Sequence, residues 1–91
     1  MKLKNKIEID GITKTKVVIG ENYYIFRSDF EDYGHHTYEL FKRKDSYGHE
    51  IYPNAKSFAF GYAWHYPDYF EAENKLRSID TVCHVFEDEI L

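Results

Sequence analysis

Between residues 57 and 66 the chain runs Ser-Phe-Ala-Phe-Gly-Tyr-Ala-Trp-His-Tyr, so that every second residue is aromatic. A period of two is that of a β-strand, in which successive side chains point to opposite faces of a sheet. Phe58, Phe60, Tyr62, Trp64 and Tyr66 then share one face, and Ala59, Gly61, Ala63 and His65 the other. The aromatic face needs another layer to cover it, while the small face lets a neighbouring backbone approach closely. The segment therefore predicts a central or near-central strand of a sheet covered on both sides.

The sheet that such a strand requires is written upstream. Leu3, Asn5, Ile7 and Ile9 alternate with Lys4, Lys6, Glu8 and Asp10, which predicts a first strand over residues 3–10. Asp10-Gly11 tolerates the positive φ of a two-residue hairpin turn, and the β-branched run over residues 13–19 supplies the second strand. Gly20-Glu21-Asn22 interrupts that run, and Tyr23-Tyr24-Ile25-Phe26-Arg27 begins a third strand, completing a meander. Residues 28–35 have the composition of an acidic, aromatic loop, residues 36–43 that of a fourth strand, and residues 44–55 that of a long turn-rich connection.

Asp68 followed by Glu71 has the spacing of a capping box and predicts the start of a helix. Tyr69, Ala72, Leu76, Ile79, Cys83, Phe86 and Ile90 recur at steps of three and four, an apolar stripe that would lie on the sheet. Thr81, Val82 and Val85 are β-branched, so a helix ending near residues 78–80 and a last strand over residues 82–87 fit equally well. The expected architecture is α+β: a four- to five-stranded antiparallel sheet, opening as a meander, with one C-terminal helix packed on one face.

A chain of 91 residues has room for a single domain spanning 1–91. The single cysteine excludes an intrachain disulfide, which suits a reducing, cytoplasmic setting, and no apolar run is long enough to span a membrane. Stability must come from bulky side chains, and nine Tyr, seven Phe and one Trp provide them.

Chemistry-bearing patterns are sparse. His35, His36, His49, His65, Cys83 and His84 show none of the metal-site spacings, so no metal and no cofactor is expected. Cys83 sits in the apolar stripe and is read as a small buried hydrophobe, not a nucleophile. Phosphate-binding and acyl-transfer signatures are absent as well, so a non-enzymatic chain is expected.

Charge and aromatic content point to binding instead. The net charge is −4, and the far end is the acidic one: residues 51–91 carry Lys56, Lys75 and Arg77 against seven acids. Seventeen aromatics exceed what one helix covers, so some should be exposed. Asp29, Phe30, Glu31, Asp32 and Tyr33 interleave carboxylates with rings, and Glu87, Asp88 and Glu89 form a second negative patch. Together they are the candidate contacts for a basic, often nucleic-acid-binding, partner protein. An exposed sheet edge would also admit a second copy of the chain.

Two resemblances bear on this expectation. Lys56-Ser57-Phe58-Ala59-Phe60-Gly61-Tyr62-Ala63 partly resembles the strand of the RNA-recognition motif whose aromatics stack bases. That resemblance implies single-stranded nucleic-acid binding through Phe58, Phe60 and Tyr62, although Ser57, Gly61 and Ala63 depart from the motif. In size and in its acidic, aromatic composition the chain also resembles phage-encoded inhibitors of host enzymes and defence systems, anti-CRISPR proteins among them; the resemblance is compositional and carries over no residue. A small-ligand or enzymatic site near His65 is the remaining alternative.

Overall fold

The computed structural model describes residues 6–9, 12–30, 35–44, 47–49 and 63–90. Among the described residues, six strands, one α-helix and a final 3-10 turn follow in the order β1 (Lys6–Ile9), β2 (Ile12–Gly20), β3 (Tyr23–Phe30), β4 (His35–Lys42), β5 (Ala63–Tyr66), α1 (Tyr69–Ile79), β6 (Val82–Val85) and the turn Glu87–Glu89. All strand pairs are antiparallel, and β1 to β5 lie side by side in chain order. The predicted α+β class and single packed helix are what the fold shows, with β6 added to the strands expected.

β6 pairs with β2, on the edge that β1 also uses. β1 covers β2 from Ile12 to Thr15, and β6 covers it from Val18 to Gly20. The two short strands thus lie end to end along one long strand. Phe86 N–H still reaches the Val17 carbonyl at 2.8 Å; beyond that point the line is occupied by β1, and the chain turns through Glu87–Glu89.

Alternation along β3 sorts the core into two halves. Ile25 joins Val17, Val18, Tyr38 and Leu40 beneath α1, which contributes Tyr69, Ala72 and Leu76. Tyr24 and Phe26 point the other way and cluster with Phe41; the Phe26 ring meets Tyr24 and Phe41 edge-on, with centroids 5.6 and 5.9 Å apart. A register shift between Lys16 and Val18 allows both Val17 and Val18 to enter the helix-side core, which strict alternation would forbid. Each fully buried side chain of this kind contributes about 1.5–3 kcal/mol.

The helix begins where its cap predicts. Asp68 is extended, and its carboxylate accepts from the Phe70 N–H at 3.1 Å. It ends at Ile79, because Asp80 turns extended while its N–H still closes on the Leu76 carbonyl at 2.7 Å. The Asp80 carboxylate then crosses to the β2–β3 turn, accepting from Asn22 N at 2.7 Å, Asn22 Nδ2 at 3.0 Å and Tyr23 N at 2.9 Å. This contact ties the helix terminus to the sheet and sets the line along which β6 leaves.

Three expectations are corrected. Ser28, Asp29, Phe30 and His35 belong to strands and not to a loop, since β3 and β4 pair in unbroken register out to Phe30 opposite His35. The apolar stripe does not run on as helix past Ile79, and Cys83 is exposed on β6 instead of buried. Among the described strands β5 is the outermost, paired only with β4, and not the central or near-central strand expected; its Trp64 and Tyr66 pack against the core beneath α1.

Candidate functional site

Asp29 is an unfavourable residue for a strand interior unless its carboxylate finds a partner. It finds Arg27, two residues back and therefore on the same face. Arg27 Nε donates to Asp29 Oδ1 at 3.1 Å and Oδ2 at 3.3 Å, and Arg27 Nη2 to Oδ2 at 3.2 Å. Arg27 is only 8% exposed, so its remaining donors also need acceptors. Nη1 supplies one by donating to the main-chain carbonyl of Glu89. The Glu89 carboxylate stays 3.8 Å from the guanidinium, beyond hydrogen-bond reach.

Two acidic segments that lie at opposite ends of the sequence are thus joined at one guanidinium. Two carboxylates, Asp29 and Glu89, lie within ion-pair distance of Arg27, and the exposed Glu87 and Asp88 share the short turn with Glu89. In the neighbouring cross-strand rows, Lys6 stands opposite Thr15 and Glu8 opposite Thr13, so that β1 adds one charge of each sign. Counted over these described residues, the charge is net negative.

A shallow open depression of about 320 Å³ adjoins the turn, lined by His84, Val85, Phe86, Glu87, Asp88 and Glu89. The His84 ring stands edge-on to Phe86 with centroids 4.4 Å apart. An aromatic wall beside carboxylates suits a cationic side chain, which both the ring faces and the charges attract.

Of the residues singled out in the sequence, Asp29 and Glu89 are joined through Arg27, Glu87 and Asp88 lie on the same turn as Glu89, and Phe30 closes β3. Glu31, Asp32 and Tyr33 lie outside the described residues, as do Phe58, Phe60 and Tyr62 of the nucleic-acid alternative. Among the aromatic side chains described, only Tyr47 and Phe70 are largely exposed, at 86% and 67%. Most of the described rings are at least partly buried, so among the described residues the negative charge carries the binding argument further than the aromatics do.

Sequence reasoning missed Arg27, and it missed a buried polar group on the opposite face of the sheet. There the Lys14 ammonium donates to Ser28 Oγ at 2.7 Å and to Glu39, and Ser28 Oγ donates to the same carboxylate. A Ser beside a Lys suggests nucleophilic catalysis, but Ser28 has no exposed surface, so its hydroxyl is out of reach of a substrate. The trio is a satisfied interior network. His65 is exposed opposite Glu39, and among the described residues no group of three His, Cys, Asp or Glu could hold a metal ion. Nor is any described helix long and apolar enough to cross a membrane.

Comparison with protein-family models, with curated proteins and with solved structures finds no match.

Proposed function

We propose that this chain is a small non-enzymatic binding protein, an inhibitor or accessory factor that docks on a basic surface of a larger, often nucleic-acid-binding, protein. The observation that supports it is that the buried Arg27 joins Asp29 to Glu89, whose short turn also carries the exposed Glu87 and Asp88 and lines the His84–Phe86 depression. Complementary charge steers such encounters and selects the partner, and a ring beside the charges supplies an anchor. Glu31 and Asp32 follow β3 directly in sequence and extend the same acidic run.

The test is affinity capture from the source cells with wild-type protein and with a triple charge reversal, Glu87→Lys, Asp88→Lys and Glu89→Lys, as paired baits. A stoichiometric basic protein that wild type retains and the reversal loses is the expected outcome. Capture of RNA alone, or of a protein indifferent to the reversal, refutes the reading.

A further inference from the structure

Arg27 divides its donors in a way that a simple ion pair would not. Its charge is matched by Asp29, through three contacts between 3.1 and 3.3 Å. Its hold on the C-terminal turn goes instead through the Glu89 main-chain carbonyl, with the Glu89 carboxylate left 3.8 Å away. The hydrogen bond that fixes the turn thus falls on a neutral acceptor, while the carboxylate lies at ion-pair distance. The turn is short, and its internal bonds are Glu89 N–H to the Phe86 carbonyl at 3.0 Å and Ile90 N–H to the Glu87 carbonyl at 3.2 Å. So small an element has little stiffness of its own and needs an external tether.

We infer that Arg27 is the positioning residue of the acidic docking surface: it clamps the C-terminal turn by its backbone, so that the exposed carboxylates of Glu87 and Asp88, beside Glu89, are presented preorganised to a cationic partner. This rests on the docking function proposed above. Its physical content is that ordering the turn before binding spares the complex that ordering cost.

The sign of one substitution separates positioning from bulk charge. Arg27→Gln makes the surface more negative by one charge, so electrostatics alone predicts tighter binding of a cation, whereas loss of the clamp predicts weaker binding. The probe is a hexa-arginine peptide titrated into isotopically labelled protein at low salt and followed by amide chemical shifts. With wild type, saturable shifts should concentrate at Asp29 and residues 84–89. Arg27→Gln should then bind roughly threefold to tenfold more weakly, and Arg27→Lys, which keeps the charge but loses the planar fork, should weaken it too.

Absent or scattered shifts in wild type would sink the docking function itself. Localised shifts in wild type with equal or tighter binding to a folded Arg27→Gln would overturn the clamp alone. Glu89→Ala tests the clamp independently of any change at Arg27, because it retains the carbonyl that Arg27 grips. Hydrogen exchange at the Glu89 and Ile90 amides should be unchanged in that variant, and a marked acceleration would assign the tether to the Glu89 side chain and refute the inference.

Discussion

Replacing Gly20 with alanine probes the junction that aims β6, and with it the acidic turn. A Cβ at Gly20 would stand 2.5 Å from Asp80 Oδ2, 2.9 Å from the Tyr23 carbonyl oxygen and 3.2 Å from Leu76 Cδ1. Asp80 is not free to withdraw, because its carboxylate accepts from Asn22 N, Asn22 Nδ2 and Tyr23 N between 2.7 and 3.0 Å. The Tyr23 oxygen belongs to the main chain of β3 and moves only with the sheet. Overpacking of this kind costs about 1–3 kcal/mol, and displacing a charged acceptor from its donors adds about 1–2 kcal/mol at a partly exposed site. Stiffening of the unfolded chain offsets about 0.4–1 kcal/mol. The net loss should be about 2–3 kcal/mol, which lowers Tm by roughly 10–20 °C in a domain of this size.

The sharper measurement is a double-mutant cycle with Asp80→Ala, run by urea unfolding and far-ultraviolet circular dichroism. Removing the Asp80 carboxylate should cost about 2 kcal/mol by itself, since two main-chain donors and one side-chain amide lose their acceptor. It also removes the nearest obstacle to a Cβ at position 20. The double variant should therefore be more stable than the sum of the single losses predicts, by about 1 kcal/mol. A Gly20→Ala protein melting within about 3 °C of wild type, or a cycle that closes additively, refutes the account of this junction.

Two further outcomes follow from the interior. Lys14→Met leaves the Glu39 carboxylate buried without its ammonium and should cost about 3–5 kcal/mol, whereas adding Glu39→Leu should recover most of the loss; a single-variant loss under about 1 kcal/mol by urea unfolding contradicts the buried-pair assignment. The Tyr69 phenol, pushed from 10.0 up to about 12 by burial first and by the neighbouring Glu73 second, should stay protonated while the unfolded chain's phenol ionises, so its stabilisation is full below pH 10 and falls away as pH rises through 12. An ultraviolet difference titration of wild type against Tyr69→Phe checks this, and a Tyr69 midpoint near 10 would overturn it.

What the sequence made legible is what repetition encodes. The alternation over residues 6–9, the Asp10-Gly11 turn signal and the β-branched run behind it predict the first hairpin, and the fold places Ile9 opposite Ile12 as that turn requires. Asp68 marks the helix start for the same reason: its side chain does locally what the helix needs. The helix end was ambiguous because Ile79, Cys83, Phe86 and Ile90 keep the helical spacing past the true stop. The stop comes from the Asp80 carboxylate reaching Asn22 and Tyr23, a contact across 58 and 57 residues that local periodicity does not contain. Cys83 was misplaced on the same ground: once β6 replaces the fifth turn of a longer helix, a stripe position becomes a solvent-facing one.

The docking surface depended on register in the same way. Both acidic segments were visible as composition, but their meeting required β2 to pair with β3 and β6 so that Asp29 lies opposite Thr13 and Val85 opposite Val18. A slip of one residue in β3 would turn Arg27 and Asp29 to the far face and separate them from the C-terminal turn altogether. The Arg27–Asp29 half of the clamp is written in an i, i+2 pattern that strand geometry makes meaningful. The other half ends on a main-chain carbonyl at Glu89, and every residue has one, so no side-chain pattern could have pointed to it. Substitution at Glu89 should accordingly disturb charge and leave the tether intact, while substitution at Arg27 should break the tether.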